Sequence, residues 1–150
     1  MRAVLERVRD DANKLACASL GDVLMKPGSG PQNVRVVPKP WGHEVIWAHT
    51  DHYVGKVLHI KAGHALSVQY HDLKDETIHL LRGEMIYRID RGNGLEDVPL
   101  HAGDSFRNTP GQIHQMEAVT DCDVLEASTP HLDDVVRLND RYGREGTNAP

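Results

Sequence analysis

The residues with metal or acid–base chemistry concentrate in two segments. In the first, Gln69 and His71 are two apart and Glu76 follows five residues later. Residues two apart on a strand point to one face, and a hairpin over the short intervening turn would set Glu76 opposite them. In the second segment, His114 follows the turn signal Pro110, Gly111 and opens a later strand. In a closed antiparallel fold these four side chains can converge inside. An amide oxygen, two imidazoles and one carboxylate suit a divalent transition metal. Their summed charge is −1, so a bound divalent ion would keep a positive charge and stay Lewis-acidic.

Strands must position these groups, and the patterning predicts them. Short β segments are expected over 34–37, 43–48, 53–60, 65–71, 76–82, 84–90, 95–100, 112–119 and 121–128. Turn signals separate several of them: Ala62 and Gly63, Arg82 and Gly83, Gly92 to Gly94, Ala102 and Gly103. Val57 and His59 alternate with Leu58 and Ile60, the period of a half-buried strand. Evenly spaced short strands imply an all-β sandwich or barrel. Before them, Val4, Leu5, Val8, Ala12, Leu15 and Ala16 recur at helical period, so residues 2–18 are expected to form an amphipathic helix. Residues 26–33, rich in Pro, Gly and Ser, read as a linker. After them, residues 133–138 are expected to make a helical turn. The organisation anticipated is 1–33 as helix and linker, 34–129 as barrel, and 130–150 as a tail packing on it. No internal repeat or low-complexity tract is present.

Composition bounds the function. The 150 residues suit one domain with a real core. Seventeen basic against 22 acidic side chains leave a net charge of −5, which argues against a nucleic-acid partner. No apolar run exceeds four residues, so no membrane helix is expected. The first 20 residues carry seven charges, so no secretory signal is expected. Two cysteines make no disulfide framework, and a reducing cytoplasm is the expected location. Ten histidines are many for this length. Most outside the two segments are expected at the surface, and His79, of opposite parity to Glu76, should face away from the site.

The two segments resemble the paired cupin motifs. The first reads Gly63-x5-Gln69-x-His71-x4-Glu76-x6-Gly83, with Gln where the motif usually has its first histidine. The second keeps Gly103, Gly111 and His114 and departs at Thr109 and Ala118. Gln in the first slot is typical of phosphomannose isomerases. Further matches resemble the type II mannose-6-phosphate isomerases, a cupin domain also found fused to GDP-mannose pyrophosphorylase. These are Lys39, Pro40, Trp41, Gly42 with Glu44; Lys56; the run from Leu66 to His71; and the tail from Asp133 through Arg137 and Asp140 to Arg144. The resemblance covers roughly 36–144, and the chain is expected to be a free-standing version without the nucleotidyltransferase domain.

The resemblance implies a double-stranded β-helix jelly-roll, here with the N-terminal amphipathic helix added, and a metal-dependent sugar-phosphate isomerase. Gln69, His71, Glu76 and His114 would hold one divalent ion, zinc first, with manganese, iron or nickel as alternatives. The ion would polarise a carbonyl while a base moves a proton between C1 and C2. Lys56, Lys74 and Glu76 are the candidates for that base, although Glu76 is compromised if it binds metal. Arg137 and Arg144 suit a phosphate, since guanidinium matches its geometry, and His64 sits near enough to the motif to touch substrate. The expected substrate is mannose 6-phosphate. Two alternatives are an isomerase or epimerase of a non-phosphorylated or nucleotide-linked sugar, and a non-catalytic sugar-binding protein. Cupins commonly pair, so a homodimer is expected, with the edge near 34–48 at its interface.

Overall fold

The computed structural model describes residues 30–144 and 146–147. The helix expected over 2–18 and the first half of the linker, 26–29, lie outside the described residues. The strands are β1 (Arg35–Lys39), β2 (Gly42–His49), β3 (Val54–Ile60), β4 (Val68–Tyr70), β5 (Glu76–Arg82), β6 (Glu84–Asp90), β7 (Leu95–His101), β8 (Ser105–Asn108), β9 (His114–Ala118), β10 (Cys122–Ser128), β11 (Val136–Asn139) and β12 (Gly146–Thr147). They form two six-stranded antiparallel sheets, ordered β1-β2-β3-β10-β5-β8 and β12-β11-β4-β9-β6-β7. This is an all-β jelly-roll, and there is no helix among the described residues.

Alternation builds the interior. Leu58 and Ile60 on β3, Ile78 and Leu80 on β5, Met85 and Tyr87 on β6, and Val124 on β10 are all buried. Their neighbours of opposite parity reach the surface or the flanking layer, as the pleat requires. His79 is one of these, outward-facing and hydrogen-bonded to Ser105 Oγ at 2.8 Å. The same parity rule puts Lys56 on the buried face of β3 and Glu126 on that of β10. Charges at apolar positions mark where the interior becomes a site.

Three expectations change. Glu76 does not reach the Gln69 strand through a hairpin. β4 pairs with β11 and β9, and β5 pairs with β10 and β8, so the two strands lie in different sheets with all their edges taken. Residues 71–75 are a crossing between sheets, and Glu76 meets His71 across the interior. The helical turn expected at 133–138 is instead a loop leading into β11, because Val136 and Arg137 pair with Tyr70 and Gln69. β8 is not among the expected strands, since the run Ser105, Phe106, Arg107, Asn108 is short and has a single apolar residue. β11 and β12 extend the second sheet, so the residues beyond 129 belong to the same unit, Gln32–Pro150.

Gly42 shows why the Trp-Gly pair is needed at the entry to β2. Its φ is +148°, and a Cβ there would lie 1.9 Å from the His59 carbonyl oxygen. Only glycine permits that approach. It brings β2 onto β3, and Trp41, 3% exposed, packs into the core beside it.

Candidate metal centre and its cavity

His71, at the end of β4, Glu76, opening β5, and His114, opening β9, converge inside the barrel. All three are buried, with one donor atom from each within 4.8 Å of the others. His71 Nε2 lies 3.7 Å from Glu76 Oε2, and His114 Nε2 lies 3.3 Å from Glu76 Oε1. Two donors each about 2.1 Å from a shared tetrahedral ion stand about 3.4 Å apart.

The outer nitrogens are already committed. His71 Nδ1 is bonded to the Asp134 carbonyl, and His114 Nδ1 to the Gln112 carbonyl at 2.9 Å. A carbonyl only accepts, so each imidazole donates from Nδ1 and turns a lone pair at Nε2 inward. Both Nε2 atoms are buried and have no hydrogen-bond partner among the described residues. A buried polar atom without a partner is costly, and an ion between the imidazoles and Glu76 would satisfy both. Burial holds the His71 imidazole below its ordinary value, outweighing the pull of Glu76, and so favours the neutral form that ligates. The group could therefore hold a metal ion.

Glu76 is fixed from behind. Asn108 Nδ2 donates to its Oε1 at 2.9 Å, and Tyr87 OH donates to Asn108 Oδ1. Lys74 Nζ donates to Oε2 at 2.5 Å. Burial alone would raise the Glu76 carboxyl, but the Lys74 ammonium, with the contacts from His114 and His71, more than reverses it and holds the group well below the usual carboxylate range. Lys74 also contacts Glu126 Oε1 at 2.7 Å, and Lys56 Nζ stands 3.5 Å from the same oxygen. Burial opposes the charge on Lys74, yet the two carboxylates push its pKa well above the usual lysine value.

A cavity of about 320 Å³ opens onto this group. Gln69 borders it and is backbone-paired with His114, while its Oε1 accepts from Ser67 Oγ at 2.7 Å. Arg137 and Arg144 line the same cavity. Arg137 Nη1 and Arg144 Nε are buried without hydrogen-bond partners among the described residues. Arg144 is anchored through Nη2 to Asp140 Oδ2 at 2.7 Å. Burial, with the neighbouring Arg144 charge, pushes Arg137 below its ordinary value. His64 is placed elsewhere: it is bonded to the Ala62 carbonyl at 3.1 Å, stacks on Tyr142, and is not part of the cavity wall.

Residues 56–127 match the cupin domain family. The barrel has the cupin fold. Among solved structures it is similar to KdgF from Halomonas sp., at 20% identity and TM-score 0.56, covering 66% of this chain and 88% of that one. It is also similar to the capsular polysaccharide assembling protein CapF of Staphylococcus aureus, at 17% identity and TM-score 0.59, covering 72% and 35%. Oxalate decarboxylase of Bacillus subtilis aligns at 12% identity and TM-score 0.63, covering 77% and 34%. The aligned part is about a third of each of these last two chains. At such identities the likeness shows the fold alone. A comparison with the curated proteins finds no match.

The two motif segments do not contain all the groups that line the barrel interior. Glu126, 3% exposed, lies outside both motifs. Its signal is a lone carboxylate on the apolar parity of β10, with Cys122 and Val124. Asn108 depends on β8, and nothing in its neighbourhood marks it. Asp134 was noted as part of the tail. Its carboxylate accepts from the backbone N–H groups of Asp72, Leu73 and Lys74 at 3.0, 2.6 and 2.7 Å, so it holds the crossing that carries Lys74.

Proposed function

We propose that the protein is a metal-dependent sugar-phosphate isomerase, with mannose 6-phosphate as its substrate. One observation carries this reading. The cavity that opens onto the His71–Glu76–His114 group is also lined by two arginines, each with one buried guanidinium nitrogen that has no partner among the described residues. Six basic side chains line that cavity (Arg35, Lys39, Lys56, Lys74, Arg137, Arg144) against four acidic ones (Glu44, Glu76, Glu126, Asp133), a surplus of two positive charges within a chain of net −5. A cation-rich cavity in an acidic protein favours an anionic ligand.

Gln69 joins His71, Glu76 and His114 as the ligand set in this reading, and zinc is the ion the set suits best. A divalent ion there would polarise the sugar carbonyl. Arg137 and Arg144 bind the phosphate and orient the sugar chain toward the barrel interior. Geometry also separates the candidates for the proton carrier. Glu76 is a ligand, and Lys74 is tied between Glu76 and Glu126 at 2.5 and 2.7 Å. Lys56 contacts Glu126 and Glu44 only at 3.5 and 4.0 Å, and we assign the proton transfer to it. His64, beside Tyr142, has no role in this assignment.

The test is a coupled isomerase assay on zinc-loaded protein. Phosphate is bound alike in ground and transition states, so losing its partner should raise KM and leave kcat nearly unchanged. Arg137→Ala and Arg144→Ala should each raise KM for mannose 6-phosphate about tenfold or more and barely alter the use of free mannose. Equal damage to both substrates would make the arginines structural. Wild-type protein that turned over no aldose phosphate would leave the non-catalytic sugar-binding reading.

A further inference from the structure

Six buried or half-buried side chains alternate in sign toward the metal group: Lys39, Glu44, Lys56, Glu126, Lys74, Glu76. Successive charged atoms lie 3.6, 4.0, 3.5, 2.7 and 2.5 Å apart. They come from β1, β2, β3, β10, the 71–75 crossing and β5. Such a row is not explained by stability, because well-packed apolar residues often serve a core as well as buried ion pairs do.

The inner end of the row raises a competition. The Lys74 ammonium sits on Glu76 Oε2, the oxygen that faces His71 Nε2 at 3.7 Å. A divalent ion held by both imidazoles and Glu76 must share or take that oxygen. Two cations cannot occupy one oxygen cheaply in a buried site. If Lys74 had only Glu76, metal binding would strand a buried ammonium, which is expensive. Glu126 removes that cost, since its Oε1 already stands 2.7 Å from Nζ and is otherwise unsatisfied by hydrogen bonds. We propose that Glu126 accepts the Lys74 ammonium when a divalent ion claims Glu76, and so sets the metal affinity of the site. This inference rests on reading His71, Glu76 and His114 as a metal site. Glu126 acts through Lys74 and is a positioning residue.

The experiment measures zinc(II) affinity by competition with a chromophoric chelator, with no substrate present. Wild type, Glu126→Gln, Lys74→Met, the double variant and His71→Ala are compared, with thermal unfolding followed for each. Glu126→Gln should weaken zinc about tenfold, the usual scale for a residue behind a ligand. Lys74→Met should tighten it. In the Lys74→Met background, Glu126→Gln should change affinity less than about twofold, because the coupling has lost its partner. Equal weakening in both backgrounds would show that Glu126 acts only as a fixed charge, and would overturn the proposal. So would unchanged affinity in Glu126→Gln. Should that variant not fold, Lys74→Met alone decides, and zinc binding no tighter than wild type overturns the proposal. A wild type no better than His71→Ala would instead overturn the metal reading beneath it.

Discussion

A histidine presents a useful lone pair only when its other ring nitrogen is committed. In this barrel the Asp134 and Gln112 carbonyls commit Nδ1 of His71 and His114, so both Nε2 atoms face Glu76. The carboxylate is in turn held by Asn108 and Lys74. Ligand type and ligand orientation thus come from different parts of the chain, and both are needed for a site to bind. His71→Ala combined with His114→Ala should bring bound metal to background in elemental analysis of purified protein. Metal content equal to wild type in that double variant would show that the ion sits elsewhere.

At the scale of elements, the decisive features are the places where strands change sheets. The 71–75 crossing carries Lys74 from the second sheet into the first, and Asp134, just before β11, fastens it with three backbone hydrogen bonds. The tail string is therefore part of the site's scaffold as well as the source of two arginines. The approach of β2 to β3 depends on Gly42 in the same way. Gly42→Ala would place a methyl group 1.9 Å from the His59 carbonyl oxygen at a φ of +148°. Backbone must move to relieve that, so the substitution should cost about 3 kcal/mol. Urea unfolding would measure it, and a midpoint equal to wild type would show that the two strands can separate freely.

Charge and exposed edges act on the whole molecule. Burial would raise the carboxyls of Asp123 and Asp134, but Arg82 with His59 in the first, and three backbone N–H groups in the second, more than reverse it. The Arg88 hydrogen bond lowers Glu117. Each folded value lies below its unfolded one. Their contribution to stability is therefore complete above the unfolded carboxylate value of about 4 and is lost as pH falls through the folded values. Tm should begin to fall below about pH 6.5, where the unfolded His71 imidazole takes up a proton that burial resists in the fold, and fall further below about pH 4, with part of that lower fall absent in Asp134→Asn. A Tm that rose on acidification would contradict this sign. Among the described residues β1 closes one end of its sheet with only β2 beside it, and Val34 and Val36 there are 60% and 63% exposed. An open edge with apolar side chains invites a second strand. We expect a homodimer through this edge, and sedimentation showing a monomer at micromolar concentration would refute it.

What the sequence determined by itself was local. Period-two alternation placed most of the strands, because a half-buried strand must alternate. The spacing of Gln69, His71, Glu76 and His114 marked candidate ligands, because metal chemistry restricts residue types. The turn glycines were legible for their backbone freedom, whereas the close approach at Gly42 came only with the fold. Tertiary structure decided everything that required knowing which strand lies beside which. Glu76 meets His71 across two sheets because β4 and β5 pair with other strands. Val136 and Arg137 extend as β11 because the edge of β4 is there to receive them. Glu126 and Asn108 join the site because β10 and β8 flank β5, an adjacency set by pairing between residues far apart in the chain. A buried glutamate reads in sequence like any other glutamate. Only the lysines placed around it by the fold give its charge a partner.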